Sequence, residues 1–198
     1  MRPRTGPLPH QRQARGRPRG RPDAPAGLAS NHLHDRALPG ATLRVSALAG
    51  EFFLDEAGDR PVALLSGGMG LTPMVSMLEA IVDRDTDRPV WGVHAAVDGR
   101  HHVMKEHIRD LASAHESIRS VVFYEFARPG TSRGRTTTAR GGSPSTSSSA
   151  FVPMSEADFY FCGPKGFVRM LALGLRALDV PEDRLHFEFF GPPQDLYT

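Results

Sequence analysis

The 198-residue chain is 39% hydrophobic and 23% charged, enough for one sizeable core and part of a second domain. No apolar run approaches the roughly 18 residues of a membrane span. The single cysteine, Cys162, excludes an internal disulfide framework, and no apolar stretch follows the basic N-terminus as a secretion signal would, so a cytoplasmic protein is expected.

Residues 1–25 are Arg, Pro or Gly in 16 of 25 places and read as a disordered arm, with almost nothing to bury. They carry +6 of charge, and a second segment, 131–149, carries +3 with no Val, Ile, Leu or Phe. Against a net charge of +2 the remainder therefore stands at −7, which disfavours a nucleic-acid groove on the folded part. Residues 41–47 (ATLRVSA) and 51–54 (EFFL) read as short strands that do not belong to the downstream sheet. From residue 57 apolar runs and helix-length stretches alternate. Strands are predicted at 61–65, 89–95, 119–125, 157–161 and 185–190, with β-branched or aromatic content suited to a sheet. Between them, Met74, Met77, Leu78 and Ile81 fall on one helical face; Val103, His107, Ile108 and Leu111 form a second such set, and Phe167, Met170, Leu171, Leu175 and Leu178 a third. Strands alternating with helices imply right-handed crossovers and a parallel, doubly wound α/β sheet of five strands. Residues 131–149 interrupt it as a low-complexity insert.

Two strand-to-helix turns carry the candidate chemistry. In LLSGGMGLTP the strand ends near Leu65 and the helix is predicted to begin at Pro73 with Thr72 as N-cap. Gly67, Gly68 and Gly70 let the backbone approach a bound group closely, while free N–H donors at the helix start favour an anion such as a diphosphate. A tight turn that merely needs glycine explains these residues equally well. The dinucleotide fingerprint is incomplete, because Pro73 replaces its last glycine, and no lysine completes a P-loop. The second turn, Cys162-Gly163-Pro164, follows the fourth strand. In a doubly wound sheet the first and fourth strands flank the crevice where ligands bind, so the two turns are expected to build one site, with Cys162 facing it. His101, His102, His107 and His115 show no metal-ligand spacing and read as solvated or core residues.

PVALLSGGMGLTPMVSML, PVWGVHAAVDGRHHVMKEHIRDLA, ADFYFCGPKGFVRMLALGLRALDVPEDRLHFEFFGP and GLASNHLHDRALPGATLRVSALAGEFFLD together resemble the C-terminal reductase part of flavohaemoglobin, the nitric oxide dioxygenase, within the ferredoxin–NADP⁺ reductase superfamily. The resemblance covers residues 26–130 and 151–193. It implies NAD(P)H and FAD as cofactors, hydride passing from the first to the second, and a haem globin domain as the family's electron acceptor. By position, Gly67, Gly68, Met69, Gly70, Leu71 and Thr72 would cradle the NAD(P)H diphosphate. Cys162, Gly163 and Pro164 would lie beside the nicotinamide. Glu188 would tune the flavin, with Phe189, Phe190, Gly191 and Pro192 touching its ring, and Gly27 and Ser30 match the turn that holds the FAD phosphates.

The departures are as informative. No globin precedes the reductase part, so no haem is expected in this chain. The Arg-x-Tyr-Ser strand that grips the flavin is missing, which leaves residues 26–56 as a remnant of the FAD barrel and the FAD site incomplete. Residues 57–193 are then the NAD(P)-binding domain. Asp98 and Arg100, after the second strand, have opposite cofactor preferences and leave NADH or NADPH open, with a lean to NADH. Both odd segments keep the family's length and lose its chemistry, the pattern of a reading-frame slip in a GC-rich gene, which resequencing tests. The alternatives to a reductase module are a nucleotide-binding fragment without turnover and, from a different class, a basic-tailed interaction protein.

Overall fold

The computed structural model describes residues 27–47, 50–99, 102–124, 137–139 and 152–190. The predicted arm, most of the 131–149 insert, Arg100, His101, Gly191 and Pro192 lie outside the described residues. The chain divides into two compact units between Ala49 and Gly50.

In the first unit the described residues hold one helix, α1 (Leu28–Asp35), entered from Gly27. Periodicity does not reveal it, because its leucines follow no core-facing spacing. Residues 41–47 and 51–54, predicted as strands, are not strands in either unit. An isolated pair of short strands has too little to bury without further partners. Leu54 instead lies buried in the core of the second unit, with Phe52 packed beside it.

The second unit is the predicted sheet. Its strands are β1 (Val62–Gly67), β2 (Val90–Ala96), β3 (Ile118–Tyr124), β4 (Thr137–Ala139), β5 (Asp158–Gly163) and β6 (Leu185–Phe189), in the order β4-β3-β2-β1-β5-β6. Five of them are parallel, as the alternating pattern requires. The sixth, β4, pairs antiparallel with β3 and lies inside the segment read as featureless. Its threonines are β-branched and suit a sheet edge, so low apolar content hid a local propensity. Helices α2 (Leu71–Asp83), α3 (Lys105–Ala114) and α4 (Lys165–Ala177) supply the crossovers.

With helices on both faces, β1 and β5 are buried along their whole length, the behaviour of central parallel strands. Alternate residues feed two cores. Val62, Leu64, Val90, Tyr160 and Cys162 pack with Met74, Leu78 and Ile81 of α2, the face the period predicts. Ala63, Leu65, Phe159 and Phe161 pack with Val168, Ala172 and Leu175 of α4. On α4 the predicted face is rotated: Met170 and Leu178 are 60% and 64% exposed, while Val168, Ala172 and Leu175 are buried. The same 3.6-residue period admits both stripes, and the small Ala172 allows the closer approach to the sheet.

At the amino ends of the strands Arg88 fixes the chain entering β1. Its Nε donates to the Arg60 carbonyl at 2.6 Å and its Nη1 to that of Asp55 at 2.8 Å, while Nη2 lies 3.7 Å from the Asp158 carboxylate. The Asp55 N–H donates to the Tyr160 hydroxyl at 3.1 Å.

Candidate dinucleotide site

The sheet reverses its winding between β1 and β5. The chain proceeds outward from β1 through β2 and β3, then returns to β5 on the other flank of β1 and moves on to β6. The crevice at the carboxyl ends of β1 and β5 is therefore the switch point, and both candidate turns sit there.

The two turns touch. Ser66 and Cys162 are register partners on adjacent strands. Beyond β1 the chain makes a 3₁₀ turn, Gly68–Gly70, and enters α2 at Leu71. Gly68 has φ +53, the left-handed region that favours glycine. A Cβ on Gly70 would overlap the Cys162 carbonyl and stand 2.8 Å from Gly163 N. On Gly163 a Cβ would meet Gly67 N at 3.2 Å and the Phe167 ring at 2.9 Å. A Cβ on Gly67 would meet the same ring at 3.0–3.2 Å, so Phe167 covers both turns from the α4 side. Glycine is thus required here by backbone contact between two segments almost a hundred residues apart.

Thr72 is not the N-cap. The 3₁₀ turn runs directly into α2, Gly70 takes the cap position, and the Thr72 hydroxyl donates to the Met69 carbonyl at 3.2 Å. Pro73 then falls within the first turn, where its missing N–H costs nothing. Neither α2 nor α4, whose N-cap is Pro164, has a side-chain cap or an acidic residue in its first turn. The Leu71 N–H is donated to the Gly68 and Met69 carbonyls of the 3₁₀ turn, and no carboxylate stands in the first turn of either helix, so both helix dipoles favour an anionic ligand.

Cys162 does not open into the crevice. It is 1% exposed and packs in the α2-side core, while its backbone carbonyl meets the glycine turn. Burial, reinforced by the Glu188 carboxylate, pushes its thiol up to about 11. Glu188 is its register partner on β6 and is exposed. Phe189 packs against the α4-side core and Phe190 is 58% exposed at the strand end. Gly27 and Ser30 lie at the start of α1, where the Asn31 N–H donates to the Gly27 carbonyl at 3.1 Å.

A polar chain that the sequence reading missed lies on the other side of the glycine turn. Ser66 and His94, register partners on β1 and β2, hydrogen bond at 2.9 Å while buried. The His94 ring lies 5.3 Å from that of His102, whose Nδ1 is 2.9 Å from the Tyr124 hydroxyl. Desolvation, with His102 nearby, holds His94 down at about 4; burial also lowers His102. The available signal was a serine and a histidine at positions of apolar strands where alternation demands core residues. Among the described residues no cluster of three or more His, Cys, Asp or Glu could hold a metal, and no helix is long and apolar enough to cross a membrane. A cleft of about 610 Å³ lined by Asp59, Arg60, Glu156 and Asp183 lies at the amino ends of the strands, away from both turns.

Sheet order, switch point and paired glycine turns define an α/β dinucleotide-binding module. Residues 64–172 match the family described as the oxidoreductase NAD-binding domain, and the chain belongs to that family. It is 39% identical over 174 residues to the flavohemoprotein of Halalkalibacterium halodurans, covering 88% of this chain and 42% of that protein. To the flavohemoprotein of Bordetella pertussis it is 42% identical over 168 residues, 85% of this chain and 42% of the relative. The chain thus spans less than half the length of these curated relatives. Among solved structures it is similar to the flavohem-like FAD/NAD binding domain of nitric oxide dioxygenase from Vibrio cholerae, with TM-score 0.65, 28% identity, and 84% and 66% of the two chains covered. It is also similar to the Amycolatopsis cytochrome P450 reductase GcoB, with TM-score 0.57, 25% identity, and 73% and 42% covered. The expected resemblance to a flavohaemoglobin reductase part therefore holds.

Proposed function

We propose that this chain is the nicotinamide-nucleotide half of a cytoplasmic reductase, in which hydride passes from NAD(P)H to FAD. The observation that carries the reading is the contact of Gly70 with the Cys162 carbonyl at the sheet's switch point, which closes two uncapped helix starts over one crevice. Gly67 to Thr72 take the diphosphate, through backbone N–H groups and the α2 dipole. Gly163 and Pro164 flank the nicotinamide, and Cys162 backs them through its carbonyl at the glycine turn, with its sulfur packed in the α2-side core. A neutral, buried thiol acts there as a small apolar packing group rather than a nucleophile. Glu188 and the exposed Phe190, at the open end of β6, meet the flavin ring. Flavin, when bound, accepts the hydride; the contribution of these residues is positioning and exclusion of water.

One observation favours a second reading, a nucleotide-binding chain without turnover. Among described residues 27–56 there is one helix and no strand of a flavin barrel. NADH oxidation with an artificial acceptor such as ferricyanide, with and without added FAD, separates the readings. Flavin-dependent turnover reduced by Cys162→Ala is expected. Turnover independent of flavin, or indifferent to that substitution, contradicts the hydride route.

A further inference from the structure

Helix α4 has two apolar faces, and the fold uses one. Val168, Ala172 and Leu175 pack on the sheet, while Met170, Leu173 and Leu178 stand 60%, 47% and 64% exposed. We propose that this outer face is a homodimer interface, on which α4 of a second copy of the chain packs antiparallel across a twofold axis. The face points away from the sheet, so the proposal is independent of what the crevice binds.

Gly166, Met170, Leu173 and Ala177 recur at i, i+4, i+7 and i+11, on the side of the helix opposite the buried stripe, and Gly174 lies beside them. All are exposed, and none carries a charge. The outer side of a surface helix is ordinarily charged and polar, so an uncharged one running the length of α4 marks an interaction surface. Its glycines have no role within the chain. A Cβ on Gly166 or Gly174 would meet nothing within 4 Å and neither has a positive φ, so alanine would fit and would favour the helix. What a missing side chain provides at such a position is room for a group arriving from outside.

The pattern is its own complement. When two such helices cross antiparallel at the level of Ala172, position 170 of one lies against 174 of the other, and 166 against 178. Met170 then seats over Gly174 of the second copy and Leu178 over its Gly166, with Leu173 nearest the axis. Each contact occurs twice, as an isologous interface requires. Charge selects the same direction. Lys165, which opens the helix, meets Asp179, which follows it, whereas a parallel pair would set like charge against like. At 1.5 Å per residue the 13-residue helix is about 20 Å long. One helix pair of that length buries less than the roughly 800 Å² per partner of a standard stable interface, so the association is weak and concentration-dependent.

The test is sedimentation equilibrium of the full chain from about 10 to about 500 μM, a range that resolves weak dimers, with urea unfolding at the lowest concentration alongside. The weight-average mass of the parent should rise towards twice that of the monomer. Leu173→Glu and Leu173→Lys, at an exposed position, should each stay monomeric and keep the parent's unfolding midpoint. Mixed in equal amounts the two should associate again, because only across a twofold axis do the substituted side chains meet. Gly174→Leu fills the seat of Met170, and it should weaken the dimer by about tenfold or more while raising the unfolding midpoint through helix propensity. A parent of monomer mass throughout, which would leave the face to a different protein, overturns the proposal. A dimer indifferent to Leu173→Glu, or a mixture that stays monomeric, overturns it as well.

Discussion

Replacing Gly70 by alanine probes the contact on which the site depends. The new methyl would overlap the Cys162 carbonyl and come within 2.8 Å of Gly163 N, and both neighbours are backbone held in the β5 ladder. No side chain can rotate out of the way, so the turn itself must move outward by about 1 Å. Overpacking of this kind costs about 1–3 kcal/mol, and the rigid partner places it at the upper end. A displacement of that size at a reacting centre also costs on the order of 100-fold in turnover. Gly68→Ala is the matched comparison. Its methyl meets nothing within 4 Å, but φ +53 makes it strained, a cost of about 1–2 kcal/mol with the turns still in contact.

The assay is urea unfolding followed by the fluorescence of Trp91, the single tryptophan, which is 7% exposed on β2. Gly70→Ala should unfold at clearly lower urea than Gly68→Ala, and its NADH affinity should fall further. Equal midpoints for the two variants, or a Gly70→Ala protein as stable as the parent, would show that the turns do not touch. The shared-site argument would go with them.

Two further predictions concern stability. Arg88→Ala should cost about 2–4 kcal/mol, because it strips two carbonyls and the buried Asp158 carboxylate of a partner, with only the half-exposed Arg60, 3.5 Å away, remaining. Arg88→Lys should recover less than half of that in the same urea assay, since an ammonium cannot reproduce the forked geometry; full recovery would assign the effect to charge alone. Because His94 is held neutral down to about 4 in the fold and titrates near 6.5 when unfolded, the unfolded chain binds the extra proton between those values. Stability should be level above pH 6.5 and fall by roughly 2–3 kcal/mol towards pH 4, and His94→Gln should flatten that decline. An unchanged slope in the variant would mean that other groups carry it.

The parts of this architecture that could be read from the chain are those fixed by local periodicity. The central strands β1 and β5 are mostly apolar runs because both their faces are covered, and Met74, Met77, Leu78 and Ile81 mark the buried side of α2 without ambiguity. The glycine turns were also legible, since Gly67, Gly68 and Gly70 stand at a strand end before a helix. Their mutual contact was not, because it depends on Cys162 arriving beside Ser66 through the return crossover to the far flank of β1. The same limit hid the Ser66–His94 bond, which spans 28 residues, and the bond from His102, read as a solvated or core residue, to Tyr124. On α4 periodicity offered two overlapping stripes, and only packing against Phe159 and Phe161 selects the one through Val168 and Ala172.

Cys162 serves the crevice through two different atoms, and chemistry can separate them. Its carbonyl abuts Gly70, while its sulfur is sealed at 1% exposure in the α2-side core. With the thiol pushed up to about 11 by burial and by Glu188, only about one molecule in a thousand carries thiolate at pH 8. Iodoacetamide should therefore leave the folded chain unmodified for hours at that pH and label it rapidly in urea. Cys162→Ala keeps the backbone contact, so it should lower turnover while leaving ADP-ribose affinity close to that of the parent. Rapid alkylation of the folded protein would mean that the sulfur is an accessible, activated group. In that case the floor of the crevice would be a reactive surface, and positioning alone would no longer account for what the cysteine does.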